Sequence, residues 1–298
     1  MNSVYREQVR LLLRILPNLY NEKDFAIHGG TAINLFVKDM PRYSIDIDVT
    51  YIPLEERESS LKNINEKLLN LSESIKRAIP FIKIKIVPDK LLCTLGTSAV
   101  KIEVNGIKRG LIGEPEDMPL CQKAQQEFEM FCKARVVSIT QLYGGKIGAA
   151  LSRQHPRDLF DFKYMMIDSF ESIRHGLIFN ILSSQKPIFE LLSPNPISQM
   201  QALENQFRGM TDIPFTYNDY ELTRQDLILF VNSNLTNDDK EFLISFESAN
   251  PKWENSEYHF AHYPSIKWKL MNLNKLKENN PAKHKQGIDK LREYLKIN

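Results

Sequence analysis

The sequence predicts an α/β (α+β) fold, in which a mixed sheet flanked by helices is followed by a mostly helical C-terminal region. Three observations carry the prediction. The glycine pair Gly29-Gly30 stands between a short apolar run and a helix-like stretch. Three segments further on alternate apolar and polar residues with the period of a strand. From Thr140 onward the spacing of apolar residues is helical.

Taken in order, "MNSVYREQVRLLLRILPNLY" reads as an amphipathic helix, because Arg10 and Arg14 interrupt its apolar patch at helical spacing. No small-residue cleavage site follows, so it does not read as a signal peptide. Asp24 to His28 reads as a strand, and the glycines then turn into "TAINLFVK", where Ala32, Ile33, Leu35 and Phe36 suit a buried helical face. "DMPRY" breaks that helix. "SIDIDVTYI" follows, with Ile45, Ile47, Val49 and Tyr51 on one face and Ser44, Asp46, Asp48 and Thr50 on the other. A mixed-charge helix spans Leu54 to Ile79. "FIKIKIV" and "SAVKIEVNGIKRGLIG" then alternate again, the latter setting Lys101, Glu103 and Asn105 opposite Val100, Ile102 and Val104. "SITQLYGGKIGAALSRQHPRDLFDFKYMM" reads as a helix, a turn at His155-Pro156 and a second helix opening at Arg157-Asp158. The remainder is helical with breaks at "SPNPI", "TDIPF" and "ANPKW". Two domains are expected, residues 1–165 around the sheet and 166–298 helical.

Composition sets limits. Hydrophobic residues make up 42% and charged residues 26%, as in ordinary globular chains. No apolar stretch approaches the roughly 20 residues that cross a bilayer, so no membrane partner is expected. Cys93, Cys121 and Cys132 form no CxxC pair and suit reduced structural thiols in a cytoplasm. The net charge is only +2, but it is uneven: basic over 1–160 and 251–298, acidic between. That distribution admits a polyanionic partner.

The chemistry gathers on the strand with two acids. Asp46 and Asp48 sit about 6–7 Å apart on one face, and two such charges repel by about 2–3 kcal/mol at an effective dielectric near 20. A pair of Mg²⁺ ions would compensate, since hard oxygen ligands suit that cation and two metals can clamp an in-line phosphoryl displacement. The Gly29-Gly30-Thr31 turn before a helix offers N–H groups to a phosphate. Glu103 supplies a third carboxylate on a compatible strand, placed by alternation alone, and Lys146 with Arg153 offers cations to a nucleoside triphosphate. In this scheme Asp46 and Glu103 are the candidates to deprotonate an acceptor hydroxyl. His259 and His262 stand at helical spacing with no third ligand nearby and read as structural. The aromatic-rich segment Trp253 to Trp268, with Lys267, Lys269, Lys275, Lys277, Lys283 and Lys285 in and beyond it, reads as core aromatics beside a solvated lysine face, with single-stranded RNA stacking the sharper alternative.

Gly29-Gly30-Thr31, a helix, Arg42, Ser44 and Asp46-Ile-Asp48 together resemble the signature of the nucleotidyltransferase superfamily. Within it they resemble the AbiEii/AbiGii toxin family, MenT-type toxins included. The likeness continues in "LYGGKIGAALSRQHPRDLFDF" and "YPSIKWKLMNLNKL" and so touches most of the chain. It implies a nucleotidyltransferase-like sheet in which Asp46 and Asp48 bind divalent metal; Glu103, placed by alternation and not by the resemblance, is the third candidate ligand. By the same resemblance Gly29, Gly30 and Thr31 hold the nucleotide phosphates, Thr31 standing where many relatives have serine. Lys146 matches the lysine before the last motif, and Asp158 the acid of an Arg-Asp-x-x-Asp element with Asp161 second. Ser44 matches a serine beside the metal. The implied function is a Mg²⁺-dependent toxin, tied to abortive infection, that moves a nucleotide from an NTP to RNA, tRNA 3′ ends among the acceptors. A cognate antitoxin neutralises it in a bacterial cytoplasm. A small-molecule, antibiotic-type transferase and a non-catalytic nucleotide- or RNA-binding module are the alternatives. Two departures stand out: fourteen residues separate Thr31 from Asp46, and Gly144-Gly145 is poor helix-forming sequence before Lys146. The glycines mark either a close approach of backbone to ligand or a local weakness.

Overall fold

The computed structural model describes residues 2–297. Its first half alternates helices and strands: α1 (Ser3–Tyr20), β1 (Phe25–His28), α2 (Gly29–Ala32) running into a π-helical turn (Ile33–Val37), β2 (Asp46–Tyr51), α3 (Arg57–Ala78), β3 (Lys83–Val87), β4 (Lys90–Leu95), β5 (Ser98–Val104), β6 (Glu116–Pro119), α4 (Gln122–Phe128) and β7 (Lys133–Val136). Helices follow: α5 (Ile139–Arg153), α6 (Pro156–Tyr164), α7 (Glu171–Leu182), α8 (Ile188–Leu192), α9 (Met200–Ala202), α10 (Tyr217–Asn234), α11 (Asn237–Glu247), α12 (Pro264–Asn279) and α13 (Pro281–Leu295). The chain divides into two compact units. One runs up to Leu142 and includes Glu204–Pro214; the other comprises Tyr143–Leu203 and the residues from Phe215 onward.

The first unit is built on a seven-stranded mixed sheet in the order β3-β4-β5-β2-β1-β7-β6. β2 runs antiparallel to β1 and parallel to β5, so the acid strand lies between two neighbours in the interior of the sheet. Alternation does the rest: Ile47 and Val49 on β2 pair with Ile102 and Val104 on β5, and all four are fully buried or nearly so. On α1, Val9, Leu12, Ile15 and Leu16 form the buried stripe that packs on this sheet, while Arg6 and Arg10 lie over the Phe128 ring. The residues of opposite parity, Asp46 and Asp48, are turned to the other face and are partly exposed.

The sequence reading omits β4, β6 and β7. In β4 one of the outward residues is the apolar Leu92, which hides the alternation that buried Leu91 and Cys93 would otherwise show. The β6 sequence, "EDMP", is polar and ends in proline, which is tolerated because β6 is an edge strand.

The second unit is helical. Thr216 and Thr236 start α10 and α11 with capping boxes closed by Asp219 and Asp239. Arg174 of α7 binds Asp239 at 3.1 Å and also pairs with Glu257. The aromatics of the C-terminal segment largely belong to this core: Phe260 and Tyr263 are buried and ring-packed with Phe179, and buried Tyr258 stacks on Phe260, while Trp268 stays 43% exposed. His259 and His262 are exposed.

Candidate active site

On the sheet face bearing the acids, register fixes who neighbours whom. Asp48 stands opposite His28 on one side and Glu103 on the other, and Glu103 stands opposite Lys90. Asp46 stands opposite Lys101. Both oxygens of Glu103 are bonded to lysines, Oε1 to Lys90 Nζ and Oε2 to Lys101 Nζ, each at 2.7 Å. Partial burial works against the Glu103 charge, yet its hydrogen bonds to Lys101 and Lys90 outweigh that and hold its carboxyl below the usual range. Lys101 is also partly desolvated, and Glu103, Asp46 and Asp48 together keep its ammonium charged to higher pH than usual.

The turn that precedes α2 is fitted around these side chains. Gly29 has φ +72°, a left-handed conformation that a side chain disfavours, and a Cβ there would lie 2.5 Å from Asp48 Oδ2. A Cβ on Gly30 would lie 2.8 Å from an Arg42 guanidinium nitrogen and 2.9 Å from Ser44 Oγ. Both glycines therefore allow close approach by the acid strand and its lead-in. Thr31 is fully buried; its hydroxyl donates to the Asp46 carbonyl at 2.5 Å and lies 3.1 Å from Ser44 Oγ. That hydroxyl ties the turn to β2. Thr50 Oγ1 and His28 Nδ1, 3.0 Å apart, fasten β1 to β2 on the same face.

The other expected residues lie together in the second unit. Lys146 of α5 is bonded to Asp158 Oδ1 and Asp161 Oδ2 of α6, each at 2.9 Å, and Arg153 reaches Asp158 Oδ2 at 2.8 Å. The side chains of Lys146, Asp158 and Asp161 are 6%, 5% and 0% exposed. Burial alone would raise the Asp158 pKa, but Lys146 and Arg153 lower it overall. His155 sets the geometry of the turn, accepting the Arg157 N–H on its ring nitrogen at 3.1 Å, with Pro156 opening α6. A Cβ on Gly144 would overlap the backbone of Gly176 and Leu177 in α7, and one on Gly148 would lie 3.1 Å from Asn180 Cβ. The weak helix formers are the price of a close helix crossing.

A family description, the AbiEii nucleotidyl transferase toxin of type IV toxin–antitoxin systems, matches residues 10–272. This chain belongs to the AbiEii family. It is accordingly a nucleotidyltransferase toxin, and the family implies an antitoxin partner. No curated protein matches its sequence. Among solved structures it is similar to MenT4, a nucleotidyltransferase toxin from Mycobacterium tuberculosis H37Rv, at 15% identity over 91% of this chain and 95% of that one, with a TM-score of 0.62. The two share a fold.

For an AbiEii protein a divalent cation is implied, and the donor set can be tested against it. Among the described residues no group of three or more His, Cys, Asp or Glu side chains is arranged as a metal cage. Mg²⁺ does not require one, since it is commonly held by one or two carboxylates with substrate phosphates and water completing the octahedron. The Asp46–Asp48 pair fits that pattern, whereas Glu103 spends both oxygens on lysines. Sequence reasoning missed Lys90, Lys101 and His28 as neighbours of the acids. Lys101 was visible as the residue two before Glu103; Lys90 required the pairing of β4 with β5. No helix of the described residues is long and apolar enough to cross a membrane.

Proposed function

We propose that this toxin transfers a nucleoside monophosphate from an NTP to an RNA hydroxyl, a tRNA 3′ end being the acceptor, in a Mg²⁺-dependent reaction in the bacterial cytoplasm. The observation that carries the reading is the Asp46–Asp48 pair, held on an interior strand directly against a glycine turn that leaves no room for a side chain. Asp46 and Asp48 would hold Mg²⁺, which supplies charge neutralisation on the triphosphate. The turn at Gly29, Gly30 and Thr31, with Arg42 and Ser44 beneath it, orients the phosphates. Lys101, fixed by Glu103, faces Asp46 and adds positive charge where charge gathers on the departing pyrophosphate.

The acceptor oxygen forms a bond to the α-phosphorus, the bond to the β-phosphate oxygen breaks, and pyrophosphate leaves. The acceptor proton passes to a carboxylate oxygen of Asp46, since both oxygens of Glu103 are bonded to lysines. Lys146 and Asp158 are assigned to the same function on the strength of their motif and Arg153 as a cation for the triphosphate, with Lys146 and Asp158 acting as a buried pair that shapes the α5–α6 turn.

The test is incubation of purified protein with total tRNA, Mg²⁺ and each α-³²P NTP in turn, followed by a denaturing gel. Labelled tRNA that disappears with Asp46→Ala/Asp48→Ala is the expected result. Label that survives that double substitution overturns the assignment of the acids, and label that never reaches tRNA overturns the acceptor.

A further inference from the structure

The register of the sheet carries the face of the acids outward beyond them. One row runs Asp46, Lys101, Leu92, Lys85; the next runs Asp48, Glu103, Lys90, Val87; Lys83 lies two residues from Lys85 on the same side. Beyond the acid pair this surface carries Lys83, Lys85, Lys90 and Lys101 against the single carboxylate of Glu103. It is open: Lys83 and Lys85 are exposed, the Lys90 and Lys101 side chains are 39% and 36% exposed, and Leu92 is 37% exposed. Lysines on an edge strand guard against unwanted strand pairing. That accounts for Lys83 and Lys85 on β3, but not for Lys90 and Lys101 on the inner strands β4 and β5.

A second feature stands where β3 begins. Phe81 is 94% exposed and has φ +66°, a left-handed backbone that is costly for a bulky residue. A strained aromatic in water, two residues before the first lysine of the row, is a position held against both local preferences. Cations interleaved with exposed apolar and aromatic groups are what a single-stranded nucleic acid uses, phosphates on the lysines and base faces on the rings. The aromatics of the C-terminal segment are mostly committed to a core, so they do not compete for this role.

Resting on the proposed transfer to RNA, we infer that the open face of β3, β4 and β5 is the acceptor track: Lys83, Lys85, Lys90 and Lys101, with Phe81 at its outer end, lead a single RNA strand toward the Asp46–Asp48 pair. The lysines read phosphates and carry no base specificity.

The experiment measures binding of a short fluorescein-labelled single-stranded RNA by anisotropy, in EDTA and without nucleotide, over a salt series. It is therefore independent of whether transfer occurs. Lys83→Gln/Lys85→Gln, two exposed sites whose folding is checked by thermal melting, is expected to lower the slope of log K against log salt by about 1.4, about 0.7 for each lost contact. Phe81→Ala is expected to weaken binding by roughly fivefold or more without changing the slope. Lys267→Gln/Lys275→Gln on α12 is the control and is expected to leave the slope in place. An unchanged slope in Lys83→Gln/Lys85→Gln overturns the track and leaves those lysines to an acidic protein partner. A slope that falls only with the α12 pair overturns it in favour of the C-terminal helices. Normal RNA binding by a parent protein that labels no RNA would refute the transfer reading alone.

Discussion

Lys146→Met removes one ammonium from the buried cluster of the second unit and keeps most of the stem volume. The Lys146 nitrogen is 2.9 Å from a carboxylate oxygen of both Asp158 and Asp161. At an effective dielectric of about 20, each attraction is about 6 kcal/mol before desolvation is subtracted. Desolvation consumes much of that when the pair forms. Once one partner is deleted, the remaining charges keep the penalty and lose the attraction, so the expected cost is about 3–5 kcal/mol. Arg153 does not repair it, because its side chain is 64% exposed and it reaches Asp158 at the other oxygen. Urea unfolding followed by circular dichroism measures the loss, and adding Asp161→Asn to Lys146→Met is expected to restore part of it by neutralising a stranded acid. The acid limb gives an independent reading. The folded-state pKa of Asp158 is depressed, so its stabilisation is present above the unfolded value of about 3.9 and is lost as pH falls through the folded value. With Lys146 gone, that loss begins at higher pH. A stability change under about 1 kcal/mol, with an unaltered acid limb, would refute the reasoning.

Gly144→Ala places a methyl group into the Gly176 backbone and is expected to cost about 1–3 kcal/mol or more in urea unfolding, whereas Gly287→Ala, where a Cβ meets open space, should be neutral or stabilising. Gly29→Ala combines an unfavourable φ, worth about 1–2 kcal/mol, with displacement of Asp48, so the melting temperature should fall by a few degrees and Mg²⁺-dependent NTP binding by calorimetry should fall at least tenfold. Thr31→Val removes the donor to the Asp46 carbonyl and should cost about 1–3 kcal/mol, with Thr31→Ser close to the parent in both stability and transfer. Cys93 and Cys132 should resist a thiol reagent until the chain unfolds, because both are buried and burial pushes them up to about 12, whereas the partly exposed Cys121, pushed up to about 11, should react first.

What was legible in the sequence was what local periodicity writes. Alternation about Asp46 and Asp48 put them on the face opposite Ile47 and Val49, the glycine pair marked the turn before α2, and His155-Pro156 marked the break between α5 and α6. β4 escaped because an exposed leucine blurs its alternation, and β6 because a short edge strand ending in proline carries little strand signal.

By itself, then, the sequence determined a mixed sheet followed by helices, the shared face of two aspartates and the family, because each is written in residues close together along the chain. Tertiary structure alone decided the partners. Glu103 became an anchor for two lysines because β4 pairs with β5 in one particular register, and a shift of one residue would have turned Lys90 to the other face. Gly144 found its reason in Gly176, thirty-two positions away, where two helix backbones come closer than any side chain permits. Register and helix crossing are settled by contacts distant in the chain, and no local pattern specifies them.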